Sequence, residues 1–232
     1  MDLKGRLKLI AQKVPECNRV CDIGTDHAYI PIYLIQNHIC KKAIAADVGQ
    51  GPLSAAEENI RSHKLEDRIE TRLGDGLEPI AEDEVDIIVI AGMGGILIKD
   101  ILERDIAKAK KAKVLVLQPM NALEITREWL YIQGFEILDE ELTDEGEKIY
   151  NVIVCKWTGK RNKVEKINYY IGKKLIEKRD PLLQVYLEKK LRQVKGVLME
   201  MENTKDHHTM EARMEYAYLA ENYAKILEEI RL

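Results

Sequence analysis

The stretch "RVCDIGTDHAYIPIYL", Arg19 to Leu34, runs from an apolar strand-like segment through a polar turn into a helix-like segment. In an open parallel sheet, a turn of this kind at a strand's C-terminal end is where ligands sit. A dinucleotide loop has the form GxGxxG, so that bare backbone can approach a pyrophosphate closely. Here Gly24 stands alone, and the second and third glycine positions hold Asp26 and Tyr29. A carboxylate at that place repels a pyrophosphate, and together Asp22 and Asp26 form an acidic cradle suited to a cation. No GxxxxGK[ST] phosphate loop occurs in the chain.

Short apolar runs alternate with helical patterns on both sides of this stretch. Strands are expected at 19–23, 43–48, 68–73, 85–91, 113–118, 135–142 and 148–157, and helices at about 29–38, 52–64, 95–108 and 121–133. Val- and Ile-rich strands alternating with helices predict a parallel sheet covered on both faces. The last two strands are joined only by "TDEG", too short for a crossover, so they must form an antiparallel hairpin. The fold class is therefore α/β: a Rossmann-like sheet of five parallel strands plus a C-terminal antiparallel hairpin.

Five consecutive strand ends carry glycine, aspartate or another polar residue: "DIGTDHAY", "ADVGQGP", "LGDGL", "AGMGG" and "LQPM". Any one aspartate taken alone reads as a loop or helix cap, but five polar ends at one edge point to a ligand. S-adenosylmethionine fits, because it carries a sulfonium and an ammonium group. Asp47, 25 residues after Asp22, stands where an acid meets a ribose diol in this architecture. Asp75 and Gly76 fall where the adenine sits, and the Asp75 carboxylate can accept from the exocyclic amine. Gly92, Gly94 and Gly95 let the chain pass under the methionine part, with Met93 offering soft apolar contact. Asn59 is a further residue within reach of this pocket.

Beyond Trp157 the pattern changes. Leu187, Leu191, Val194, Leu198 and Met201 recur at spacings of 4, 3, 4 and 3, as do Ala212, Tyr216, Leu219, Tyr223, Ile226 and Ile230 at 4, 3, 4, 3 and 4. These two heptad seams predict an α-helical coiled-coil hairpin, with Pro181 at the start of its first long helix and Tyr216 and Tyr223 as packing residues. The division is 1–158 for the ligand-binding domain and 159–232 for the helical one. His207 and His208 lie in the polar turn "ENTKDHHT" without further metal-ligand partners, so no metal site is expected. Net charge is −4, yet Lys156 to Glu200 holds 13 Lys and Arg against 5 acids, a net +8. A basic segment on an acidic body suits a polyanion such as RNA. No apolar run approaches the ~20 residues of a membrane span, and "MDLKGRLKLIAQKV" lacks the apolar core of a secretory signal. Cys17, Cys21, Cys40 and Cys155 form no CxxC pair, so four reduced, mostly buried thiols in a cytosolic protein are expected.

The strings "DIGTDHAYIPIYL", "AADVGQGPLSAAEENI", "GDGL", "IAGMGG", "LQP", "REWLY" and "KIYNVIV" resemble the bacterial tRNA (adenine-N1)-methyltransferase family called TrmK, in order and spacing from about residue 5 to 157. The resemblance implies a class I methyltransferase fold with a C-terminal coiled coil, S-adenosylmethionine as donor, and methylation of adenine 22 in a cytoplasmic tRNA. It places Asp22, Gly24, Asp26 and His27 in the first cofactor motif, Asp47 on the ribose, Asp75-Gly76 in the adenine loop, and Gly92 to Gly95, Met93 included, beneath the methyl. "AGMGG" replaces the Asn-Pro-Pro-Tyr loop of many amino-group methyltransferases, in keeping with a ring nitrogen as nucleophile. The expected catalytic residues are Asp26, holding the adenine amine or taking its proton; His27, orienting that acid or contacting the cofactor; and Tyr29, stacking on or bonding the target. Lys4, Arg6, Lys8 and Lys13 are candidates for gripping tRNA, with the basic run after Lys156. The alternatives are methyl transfer to another substrate and a non-catalytic module that binds RNA or protein.

Overall fold

The structure, a computed structural model, describes residues 1–161, 163–201 and 207–231, with the side chains of 207–209 excluded. It divides into two units, Met1–Lys163 and Val164–Leu232. In the first unit, β1 (Cys17–Ile23), β2 (Cys40–Asp47), β3 (Ile69–Leu73), β4 (Ile87–Met93), β5 (Val114–Pro119), β6 (Phe135–Glu145) and β7 (Lys148–Trp157) form one sheet in the order β3-β2-β1-β4-β5-β7-β6. The first five strands are parallel, and β7 runs antiparallel to both β5 and β6. This is the expected Rossmann-like sheet with its terminal hairpin. The chain reverses between β6 and β7 at Gly146-Glu147, so β6 runs three residues beyond its expected end.

Helices α1 (Gly5–Lys13), α2 (Tyr29–Gln36), α3 (Gln50–Ser62), α4 (Gly95–Arg104), α5 (Ile106–Lys111) and α6 (Leu123–Ile132) flank the strands. The central strands show why both faces must be covered: Ile87, Ile88, Val89 and Ile90 are all buried, as are Val20, Cys21 and Ile23. Each such side chain contributes about 1.5–3 kcal/mol when withdrawn from water. The helix expected at 95–108 is two helices, because the backbone leaves helical geometry at Asp105. Arg127 of α6, fully buried, donates to Glu140 of β6 at 2.7 Å and reaches Asn151 of β7 at 3.3 Å, pinning that helix to the hairpin.

The four cysteines are not all thiols. Cys17 and Cys40 face each other across the first rung of the β1–β2 ladder, Cα atoms 4.8 Å apart, and are joined as a disulfide. Parallel strands that start together place two cysteines 23 residues apart side by side, which no local spacing reveals. Cys21 and Cys155 are free and buried.

The second unit contains α7 (Ile167–Ile171), α8 (Lys173–Glu177), α9 (Leu183–Met201) and α10 (His207–Arg231). The seam is present: Leu187 and Val194 of α9 are buried, as are Leu219, Tyr223 and Ile226 of α10. Pro181 precedes α9 in a turn instead of opening it, and Asp180 accepts from the Leu182 N–H at 2.9 Å. The polar turn carrying the two histidines falls outside the described residues at 202–206, and the His207 and His208 side chains lie outside them too. Among the described residues, no helix is long and apolar enough to cross a membrane.

Candidate functional site

The strand order turns at β1 and β4, and the crevice beyond their C-terminal ends is the binding position of open α/β sheets. Here it holds a cavity of about 190 Å³ lined by Asp22, Gly24, Asp26, Tyr29 and Gly92, with Arg6 and Leu7 of α1 on the near wall. The volume falls below the ~300–1,000 Å³ of a pocket enclosing a whole ligand. It fits the reacting end of one that continues along the open strand edge.

Each element aims its residue for a local reason. Ladder pairing of β1 with β2 ends at Ile23, after which the N–H groups of Gly24 and Thr25 both donate to the Ala46 carbonyl, at 2.8 and 3.0 Å. Gly24 has φ +72°, a conformation that strains other residues, and a Cβ there would displace the terminal methyl of Met93. Asp22 is buried, accepts from the Thr25 hydroxyl at 2.7 Å, and is pushed up to about 7 by burial, with the Asp26 and Asp47 carboxylates adding to the rise. Asp26, by contrast, is 81% exposed.

The turn that presents Asp26 is strained. His27 and Ala28 both have φ 53°, a left-handed conformation that costs non-glycine residues about 1–3 kcal/mol each. Asn59 of α3 holds it, donating to the His27 carbonyl at 2.7 Å. The His27 ring stacks on Tyr29 at 5.3 Å, and its Nε2 lies 3.6 Å from Asp26 Oδ1. Asn59 thus meets the backbone of this turn, not the pocket.

On the other side of the crevice, the β4–β5 register shifts between Ala91 and Met93, which makes Gly92 a bulge with φ 75°. Its N–H donates to the side-chain oxygen of fully buried Gln118 at 3.1 Å, and the Gly95 N–H meets the Asn121 carbonyl at 3.1 Å. Met93 and Gly94 follow the bulge into α4. Asp47, at the end of β2, spends Oδ1 on the Gly49 N–H at 2.7 Å. Asp75 and Gly76 lie beyond β3, where Arg104 Nη1 grips Asp75 Oδ2 at 2.6 Å and holds that carboxyl below its usual range. One of the oxygens expected to face an adenine amine is therefore already engaged.

Of the expected residues, Asp22, Gly24, Asp26, Tyr29 and Gly92 line one cavity, with His27 beside them; Asp47, Asp75, Gly76, Met93 and Gly94 lie along the strand edge. Lys13, read as an RNA-gripping cation, is instead ion-paired to Asp139 at 2.6 Å and to Glu141. The polar strand end "LQPM" marked Gln118 without giving it a role, and Arg104 left no local signal. No cluster of three or more His, Cys, Asp or Glu suited to a metal occurs among the described residues.

Comparison with known proteins follows this geometry. The methyltransferase domain family matches residues 3–153. The tRNA (adenine(22)-N(1))-methyltransferase of Bacillus subtilis (strain 168) is 41% identical over 157 residues, 67% of this chain and 66% of that protein, just under two thirds of its length. The B. subtilis tRNA methyltransferase TrmK superposes with a TM-score of 0.89 at 30% identity, covering 97% of this chain and 99% of that one. Sp1610 of Streptococcus pneumoniae in complex with S-adenosyl-L-methionine gives a TM-score of 0.85 at 31% identity, covering 96% and 98%. This chain belongs to the TrmK family of tRNA methyltransferases, built on a class I S-adenosylmethionine-dependent methyltransferase domain.

Proposed function

We propose that this chain transfers a methyl group from S-adenosylmethionine to N1 of adenine 22 in tRNA, in the cytoplasm. The observation that carries the reading is the cavity at the β1–β4 switch point, where Asp22 and Asp26 converge beside Gly24 and the Gly92 bulge. The donor set fits the cofactor. Asp22, Asp26 and Asp47 suit its two positive groups and its ribose, and Gly24 gives the close backbone approach. Bound there, S-adenosylmethionine supplies an electrophilic methyl on a sulfonium for the lone pair of adenine N1.

The chain's own residues align the reactants and stabilise charge. Asp26, exposed at the cavity mouth, accepts from the target's exocyclic amine and takes its proton as the ring becomes positive. His27 orients Asp26, and Asn59 positions both by fixing the turn between them. Tyr29 offers its ring to the extruded base. Gln118 holds the Gly92 bulge in the shape that lets the target approach. Along the strand edge, Asp47 receives the ribose, Asp75-Gly76 borders the adenine, and Met93 and Gly94 cover the methionine part. N1 lies on the pairing edge, so the base must leave its stack at a cost of a few kcal/mol, recovered through contacts elsewhere on the RNA. The basic run after Lys156 supplies such contacts to the tRNA backbone.

The test is methyl transfer to a tRNA transcript and to free adenosine, with the product nucleotide mapped. The expected result is 1-methyladenosine at position 22 and little product from adenosine. Methylation elsewhere, or equal transfer to adenosine, overturns the assignment.

A further inference from the structure

Among the residues lining the cavity, Arg6 is the one cation. An arginine on a surface helix ordinarily samples many rotamers, but this one is held by two partners. Glu145, at the tip of the β6–β7 hairpin, accepts from the Arg6 backbone N–H at 2.6 Å and from its Nη1 at 2.8 Å. The guanidinium also lies over the Tyr150 ring, 5.3 Å from its centroid. The preceding residue, Gly5, has φ +51°, a conformation that favours glycine, and a Cβ there would strike the Glu145 carboxylate and displace it from Arg6. The side chain remains one-third exposed, and Nε and Nη2 stay available as donors beside the one bond that Nη1 makes to Glu145.

We propose that Arg6 binds the backbone phosphate flanking the extruded target nucleotide, with Glu145 and Tyr150 as its positioning residues. A base that enters this cavity brings its phosphate to the rim, where Asp22 and Asp26 would repel it. A preorganised guanidinium lining the same cavity offsets that repulsion and leaves the acids for the cationic donor. Two parallel N–H donors match phosphate geometry, which a lysine's point charge does not. The inference rests on tRNA being the substrate.

The experiment measures tRNA binding directly as a function of salt, alongside the KM for tRNA, kcat and S-adenosylhomocysteine affinity, in the full chain. Arg6→Gln retains an amide donor for Glu145 but no charge, Arg6→Met retains only the apolar stem, and Arg6→Lys retains the charge. Both uncharged variants are expected to raise the KM for tRNA about tenfold and to flatten the log–log salt slope by about 0.7–0.9, the value of one lost phosphate contact. Arg6→Lys should keep the slope, and all three variants should still bind S-adenosylhomocysteine. If either uncharged variant that still binds S-adenosylhomocysteine shows the wild-type slope and KM, Arg6 only anchors α1 and the proposal is overturned. Failure of the functional reading looks different: the wild-type chain itself would then bind or methylate no tRNA.

Discussion

At the edge where β1 and β4 begin, acids meet cations, whereas in the cavity where the same strands end, Asp22 and Asp26 have no lysine or arginine ion-paired to them among the described residues. Asp86 accepts from the Asn18 and Arg19 N–H groups at 2.8 and 3.1 Å and pairs with Lys113 at 2.7 Å, and Glu84 pairs with Arg19 and Arg72. Arg72 holds Glu84 down at about 2, and Lys113 holds Asp86 below its usual range. At the far edge, no Lys or Arg ion-pairs with Asp22, Asp26 or Asp47 among the described residues, and Asp22 rises to about 7. The same side-chain chemistry serves the fold where it is neutralised and serves a ligand where it is not. The first edge is complete without any other molecule. The second is balanced only by something positive.

The sharpest way to break this contrast is Asp26→Ala. With Asp26 as the functional carboxylate, turnover should fall by about 10²–10⁴-fold, while the circular dichroism spectrum and melting temperature stay close to wild type, since its side chain is mostly exposed. Near-normal methylation by that variant would place Asp26 with the passive acids.

Asp22 sharpens the contrast through pH. A carboxyl raised to about 7 in the native state and ordinary when unfolded stabilises the free protein below about pH 4, an advantage lost as pH rises through 7. A cationic ligand prefers the ionised form, so S-adenosylmethionine should bind more tightly as pH rises, by up to about tenfold per unit below 7, and level off above it. Calorimetric titration from pH 5.5 to 8.5 should show this slope together with proton release, and Asp22→Asn should abolish both. A wild-type profile that is flat would remove the ligand role from Asp22.

The smallest effect on function belongs to the other edge. Asp86→Asn should cost roughly 1.5–3 kcal/mol at pH 7, the worth of hydrogen bonds to a charged acceptor, with kcat per folded molecule unchanged. Asp86 has a lowered pKa, so its contribution is present above about pH 4 and fades as pH falls through the native value. Thermal melts of variant and wild type should therefore converge in acid. A loss of activity with unchanged melting would mean that the two edges do not divide the work in this way.

Much of the binding edge is legible before any coordinates, because strand ends are local. Apolar runs fix where strands lie, and the residues after each run then share one edge by the topology of parallel sheets. That is why Asp22, Gly24, Asp26 and Gly92 were found together. What supports them was hidden, since each support arrives from a distant part of the chain. Asn59 reaches the His27 carbonyl from 32 residues away, Gln118 reaches Gly92 from 26, and Arg104 reaches Asp75 from 29. Lys13 read as a cation for gripping tRNA because nothing local announces Asp139 and Glu141, brought against α1 by the last hairpin.

The amino-acid sequence by itself determined the α/β alternation, the terminal hairpin, the heptad seams and the acidic strand ends, since each follows from periodicity or composition within a few tens of residues. The tertiary structure alone decided three things: that Cys17 meets Cys40 across a ladder rung, that His27 and Ala28 are held left-handed, and that Arg6 faces the cavity clamped by Glu145. Those depend on which distant surfaces the sheet brings into contact. Pairwise contacts between remote segments leave no periodic trace in either one.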